Sequence, residues 1–154
     1  AKHGEVVRFY FTNTANTRVF NVMLPGARMK LVGADSGHYE QEQLVEEVLL
    51  APSERVVVDV LFSEPGEVAL EHRTPEKSYR LAAIEVVHEP AKPDLSEQFE
   101  NLRRNEDMRA LRERIEPFIE SPPDKTLSFV AEMDEVGPEG GVDTGVYACP
   151  MHPE

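Results

Sequence analysis

The first ninety residues repeat one pattern, in which short runs of alternating apolar and polar residues are separated by turn residues. The clearest run is Arg55 to Phe62, where every second side chain is apolar. Glu5 to Thr12 alternates in the same way, and the dipeptide Pro25-Gly26 between later runs is a typical turn signal. A period of two places the apolar side chains on one face of a β-strand. The pattern therefore restricts this part of the chain to half-buried strands.

Strands that recur at a spacing of about 8 to 12 residues are typical of an all-β sandwich or barrel. The sequence accordingly predicts an antiparallel β-sandwich over residues 1–90. The predicted strands are Glu5 to Thr12, Arg18 to Leu24, Arg28 to Val32, Leu44 to Leu50, Arg55 to Phe62, Val68 to Arg73 and Tyr79 to His88.

The apolar period becomes helical after Pro93, which predicts a helical connection over residues 91–123. Asn105 is a candidate N-cap for a second helix if the run is broken there. We expect the apolar stripe to pack on the sandwich, the alternative being a neighbouring domain or subunit. We also expect the arginines of the segment to pair with its glutamates at helical spacings. The stripe consists of Leu95, Phe99, Leu102, Met108, Leu111, Ile115 and Phe118.

Two further segments follow Pro122-Pro123. Residues 124–134 form a predicted strand, because Lys125 to Met133 alternates again. Residues 135–154 form a predicted flexible tail that contains several glycines. A strand at 125–133 without a pairing partner would favour self-association through its edge.

The charge balance excludes several classes of function. The chain of 154 residues has 29 acidic and 16 basic residues, for a formal net charge of −13. Nucleic-acid binding and docking on an anionic membrane both need a basic surface. No apolar run is long enough to insert into a membrane. The single cysteine, Cys149, excludes an internal disulfide framework.

The densest group of potential metal ligands lies at the end of the sequence. Cys149, Met151 and His152 place a thiolate, a thioether and an imidazole within four residues. Sulfur ligands suit Cu(I), and cysteine with histidine suits Zn(II). These three residues are the candidate metal site. The isolated histidines have weaker cases: we expect His72 to be a hydrogen-bonded core or edge residue, and His38 to lie in a solvated acidic loop.

Three blocks of sequence resemble the middle domain of multicopper oxidases. The first is Glu5 to Asn13 followed by Asn16 to Phe20, the second is Pro25 to Gly37, and the third is Leu50 to Val60. The third block departs from the family, which has an aromatic residue where this chain has Val56. The resemblance implies a cupredoxin-like antiparallel Greek-key sandwich. It also implies that Lys125 to Met133 is similar to the first strand of the domain that follows.

The resemblance implies copper chemistry in an intact parent protein. Family members oxidise a substrate at a mononuclear copper and reduce dioxygen to water at a three-copper cluster. The cluster is held by His-x-His pairs of the first and last domains, and the mononuclear site by a His-Cys-His run. The five histidines of this chain form no His-x-His pair and no His-Cys-His run. The resemblance therefore implies a copper-free spacer between the flanking copper-binding domains, and a periplasmic or extracellular location.

Two other functions remain open at this point. Copper-free sandwiches related to these oxidases serve as interaction scaffolds in the cell envelope. Tyr147 to Glu154 resembles the first half of a heavy-metal-binding module, which would make the chain a metal-handling protein that uses Cys149, Met151 and His152. A copper oxidase domain, an interaction scaffold and a metal-handling protein are the three hypotheses that the sequence supports.

Overall fold

A computed structural model describes residues 1–128 of the chain. In these residues two sheets face each other and two helices follow them. The strands are β1 (Lys2–His3), β2 (Glu5–Thr12), β3 (Phe20–Met23), β4 (Arg28–Ala34), β5 (Gly37–Val45), β6 (Val48–Leu50), β7 (Arg55–Phe62), β8 (Gly66–Arg73) and β9 (Ser78–Pro90). The helices are α1 (Ser96–Phe99) and α2 (Glu106–Ile119).

The two sheets form the β-sandwich that the sequence predicts. One sheet has the order β2-β7-β4-β5 and the other the order β1-β9-β8-β3-β6. All strand pairs are antiparallel except β1 with β9, which is parallel. Between β1 in one sheet and β2 in the other lies Gly4, whose φ of 77° is a backbone conformation that favours glycine.

The core lies between the sheets and is built from the alternation seen in the sequence. The inward-facing apolar side chains of β7 are at most 2 % exposed, and β7 is a central strand. Their burial helps to hold the sheets together, at about 25 cal/mol for each Å² of apolar surface removed from water. The fully inward residues of this strand are Val56, Val58, Val60 and Phe62.

The sequence prediction is wrong between residues 37 and 50. The single predicted strand from Leu44 to Leu50 is in fact the end of β5 and the whole of β6, which belong to different sheets. The predicted acidic loop around His38 is strand β5. Because β5 is the edge strand of its sheet, most of its residues are polar and exposed, and the apolar alternation that marks the other strands is weak here.

The predicted helix boundary at Asn105 is confirmed. The Asn105 side chain accepts hydrogen bonds from the backbone N–H groups of Asp107 and Met108 at the start of α2. The expected packing of the apolar stripe is right for Phe99, which is 2 % exposed, and wrong for α2, which has no buried residue. Helix α2 is attached to β5 by the ion pair of Arg112 with Glu40, and its apolar residues stay at least partly exposed.

The described chain divides into a compact unit over Ala1–Glu120 and a second unit that begins at Ser121. Residues 125–128 of the second unit lie in no helix or strand, and the rest of the strand predicted at 124–134 lies outside the described residues. Within residues 1–128, neither helix is long and apolar enough to cross a membrane.

Candidate functional site

A row of charged side chains crosses the outward face of the four-stranded sheet. The strand register places Arg8 on β2 opposite Asp59 on β7, and Asp59 opposite Lys30 on β4. Glu42 on β5 is the diagonal neighbour of Lys30, which pairs in register with Leu44. The charges therefore alternate in sign across all four strands. We call these four residues the charged row.

Each contact within the charged row is short. The Arg8 guanidinium donates two hydrogen bonds to the Asp59 carboxylate at 2.6 and 2.8 Å, the bidentate geometry that gives the strongest ion pairs. These bonds to Asp59 raise the pKa of Arg8 above its ordinary value. Lys30 Nζ lies 3.3 Å from an oxygen of Glu42. Opposite charges facing each other across strands stabilise the sheet in this register.

The row is covered by the segment that connects the sandwich to α2. The Phe99 side chain lies under the positive charges of Lys30 and Arg28, whose charged atoms are 5.0 and 5.6 Å from the ring centre. Lys30 Nζ also donates to the backbone carbonyls of Phe99 at 3.2 Å and Asn101 at 3.4 Å. These cation–π and hydrogen-bond contacts compensate the burial of the ammonium group.

Arg103 completes the cover over Glu42. Its guanidinium and its backbone N–H both donate to the Glu42 carboxylate, at 2.8 and 3.1 Å. Burial acts to raise the pKa of Glu42, but the bonds from Arg103 and the charge of Lys30 outweigh it, so that the pKa lies below the ordinary value of 4.5. Glu42 is therefore held as a carboxylate.

Further contacts attach both ends of the covering segment. Arg28 forms a two-pronged ion pair with Glu100 beside Phe99. The backbone N–H of Asn105 donates to the Glu40 carbonyl at 2.8 Å, and Arg112 on α2 pairs with the Glu40 carboxylate at 2.8 Å. The segment from residue 95 to 105 is thus attached along its length by charges on β4 and β5. We call it the strap.

The chemistry available to the charged row is attachment rather than catalysis. All of its carboxylates are committed to arginine or lysine partners. Among residues 1–128, no group of three or more histidine, cysteine, aspartate or glutamate side chains is arranged to hold a metal ion.

The candidate metal ligands Cys149, Met151 and His152 lie outside the described residues, so the metal site stays a prediction. The expectation for His72 is confirmed: it is 7 % exposed and its Nδ1 accepts from the backbone N–H of Asn21 at 3.0 Å. His38 lies on β5 rather than in a loop.

Sequence reasoning missed the charged row. The solvated acidic loop predicted around His38 included Glu42, whereas Glu42 is 6 % exposed. Sequence reasoning also expected the arginines after Phe99 to pair within the helical segment. That holds for Arg109 with Glu106 at 2.9 Å, but Arg103 pairs with Glu42 on the sheet. One signal was available, because Asp59 interrupts the otherwise apolar sequence of a central strand.

Comparison with known proteins adds the family context. Residues 1–86 match the sequence model of a family described as Cu-oxidase, multicopper oxidase. The chain is similar to the solved structure of CueO, a laccase-like multicopper oxidase of Ochrobactrum sp., with 26% identity and a TM-score of 0.52. That likeness covers 61% of this chain and 23% of that one.

Two other solved structures resemble the same region. Lac15 from a marine microbial metagenome has 26% identity and a TM-score of 0.53, over 58% of this chain and 24% of that one. The multicopper oxidase McoA from Aquifex aeolicus has 20% identity and a TM-score of 0.53 over 60% of this chain and 23% of that one, which shows a shared fold. The chain thus spans about a quarter of the length of these structures. Comparison with curated protein sequences gave no match.

Proposed function

We propose, since the chain belongs to the multicopper oxidase family, that it is the non-catalytic middle domain of such an oxidase. The observation that carries this proposal is a family match over residues 1–86 in a chain whose five histidines include no His-x-His pair. A copper cluster built from imidazoles needs several histidines converging on one point.

In the proposed parent, copper is bound by the flanking domains. Those domains would couple oxidation of a substrate to reduction of dioxygen to water, and they are the partners proposed for this domain. The related Ochrobactrum protein is described as having oxidase activity towards lignin model compounds. For the parent of this chain we propose oxidase activity, with this domain acting as a spacer and packing partner. Membership in the family supports a periplasmic or extracellular location.

The strap supports the spacer role. A spacer must hold its neighbours at a defined distance, which requires that the chain leaving the sandwich be fixed in direction. The chain leaves the sandwich at the end of β9 and is then held across the four-stranded sheet by Lys30 and Glu42. Since both side chains are buried, this attachment persists at salt concentrations that screen surface ion pairs.

The proposal is tested with the isolated chain and with the flanking domains of its parent. The chain alone, incubated with Cu(II), should show no intense blue thiolate–copper absorption and no oxygen consumption with a phenolic substrate. Mixed with the separately purified flanking domains, it should restore copper-dependent oxygen consumption that the flanking domains lack by themselves. A Phe99→Ala variant, which loosens the strap, should restore less than a Phe118→Ala variant of the exposed helix face.

Two outcomes contradict the proposal. Copper-dependent oxidase activity of the chain alone would make it catalytic. Parent sequences without His-x-His pairs and without a His-Cys-His run would exclude the oxidase hypothesis, and the interaction scaffold would then be the favoured function.

A further inference from the structure

Strand β2 is a free edge of the four-stranded sheet. It pairs with β7 on one side, and no strand within residues 1–128 pairs with its other side. The edge is 8 residues long, and its register with β7 is unbroken from Glu5 to Thr12. It contains no proline, lysine or bulge, three of the devices that protect a sheet edge from pairing with another chain, and its charged residues are Glu5 and Arg8.

The side chains of β2 are incompletely covered. Phe9 and Phe11 face the core but are only half-buried, whereas Val58 on the adjacent strand β7 is 0 % exposed. The two phenyl rings stack on each other with centroids 5.5 Å apart. On the outward face, Tyr10 is 73% exposed. A further strand beside β2 would cover both sets of side chains.

We propose that a second copy of this chain pairs with β2, antiparallel and centred on Phe9. In this register Phe9 lies opposite its own counterpart, and Val7 lies opposite Phe11 of the other copy. Arg8 lies opposite Tyr10 of the other copy, which is a favourable cation–aromatic pair on the outward face. Apolar residues therefore meet on the inward face, and no like charges are opposed.

Charge disfavours one of the two nearest registers that keep the same faces together, and the other, centred on Tyr10, would place Tyr10 opposite its own counterpart, so that both variants tested below would weaken it. Centred one residue earlier, the pairing would place Arg8 opposite Arg8, which is destabilising. The backbone agrees with the Phe9-centred register. The N–H of Asn13 donates to the Glu54 carbonyl at 3.0 Å, so the backbone groups of Asn13 point toward β7. Successive residues of a strand direct these groups to alternate sides, and the N–H and C=O groups of Arg8 and Tyr10 therefore point away from β7. In the proposed pairing these two residues face each other as a hydrogen-bonded pair.

The test is the oligomeric state of the 154-residue chain, measured by sedimentation equilibrium over a range of concentrations. The wild-type chain should form a dimer. Tyr10→Arg places arginine opposite Arg8 at two symmetric positions and should weaken dimerisation roughly tenfold. Tyr10→Glu places a carboxylate opposite Arg8 and should leave the dimer at least as tight as the wild type. Tyr79→Arg on β9, at a tyrosine that is 45% exposed, is the matched control and should have no effect.

Three results would overturn the proposal: a wild-type chain that is monomeric at every concentration, a dimer unaffected by Tyr10→Arg, or a dimer weakened equally by Tyr10→Arg and Tyr10→Glu. Tyr10 is 73% exposed but also contacts Arg8 of its own chain, so urea unfolding of each variant is measured to show that it is folded under the conditions of the dimerisation assay. The inference does not rest on the proposed function, since it concerns the isolated chain.

Discussion

Lys30 Nζ on β4 lies 3.3 Å from a carboxylate oxygen of Glu42 on β5, and the two side chains are 4% and 8% exposed. An ion pair so far from water is retained only when its other hydrogen-bonding atoms are also satisfied. Here the strap satisfies them, because Lys30 donates to two of its carbonyls and Arg103 donates to Glu42. The sheet and the strap therefore stabilise each other, and the predictions below follow from this dependence.

Acid should destabilise the fold through Glu42. Its pKa is lowered in the folded chain, so the unfolded chain takes up a proton first as the pH falls below the ordinary value of 4.5. The stabilisation is fully present above that pH and is lost as the pH falls through the folded pKa. Urea unfolding at a series of pH values should show a decline in the free energy of unfolding that begins near pH 4.5.

Glu42→Gln separates this effect from those of other carboxylates. The pKa values of Glu40 and Glu100 are also lowered, by hydrogen bonds from Arg112 and Arg28 respectively. Both of these pairs are exposed and should weaken in high salt. In high salt, Glu42→Gln should therefore reduce the remaining pH dependence, and the part that persists is assigned to Asp94, whose pKa is lowered by hydrogen bonds from Ser96. An undiminished acid slope in this variant would contradict the assignment to Glu42.

Phe99→Ala should be strongly destabilising. Phe99 is 2 % exposed and is the main apolar contact of the strap with the sheet. Removal of a buried phenyl ring costs about 3–5 kcal/mol. Phe118→Ala removes the same group from a position that is 74% exposed, and should change the free energy of unfolding little. Equal effects of the two substitutions would show that the strap does not contribute to stability.

Asn105→Ala should shorten helix α2 from its N-terminus. The variant loses the side-chain oxygen that accepts from the N–H groups of Asp107 and Met108, at a cost of about 1 kcal/mol. Asn105→Asp keeps an acceptor at the same place and adds a favourable charge at the helix N-terminus. The rate of amide hydrogen exchange in the first turn of α2 should therefore rise in the alanine variant and return to the wild-type rate in the aspartate variant. Similar exchange rates in the two variants would contradict the assignment of Asn105 as the N-cap.

The predicted metal site is tested through Cys149. If the cysteine, thioether and imidazole at the end of the chain bind Cu(I), Cys149→Ser should abolish a stoichiometric Cu(I) site, because the thiolate is the strongest soft ligand of the three. Competition with a Cu(I) chelator measures the affinity. His72→Gln is the control, since His72 is buried and hydrogen-bonded to the backbone of β3. Unchanged Cu(I) binding in Cys149→Ser would exclude the site.

Local features of the sequence were sufficient to predict an element where burial alternates along one strand, and to predict a helix start where a cap acts within one turn. The bounds of β2 and β7 were predicted correctly, and Asn105 was identified as a cap. β5 was missed because a polar edge strand carries little alternation. The Lys30–Glu42 pair could not be predicted, because its partners are defined by the pairing of β4 with β5 rather than by spacing along the chain.

By itself the sequence determined the kind of protein: a β-sandwich with a helical appendage, of the multicopper oxidase family, without the histidine pattern of a copper cluster. These properties depend on residue periodicity and on motifs, which are local. Only the tertiary structure decided which charges are buried, that the strap covers them, and that α2 buries none of its residues. Those properties depend on strand register across four strands, and register is selected by the packing of the whole core rather than by any single segment.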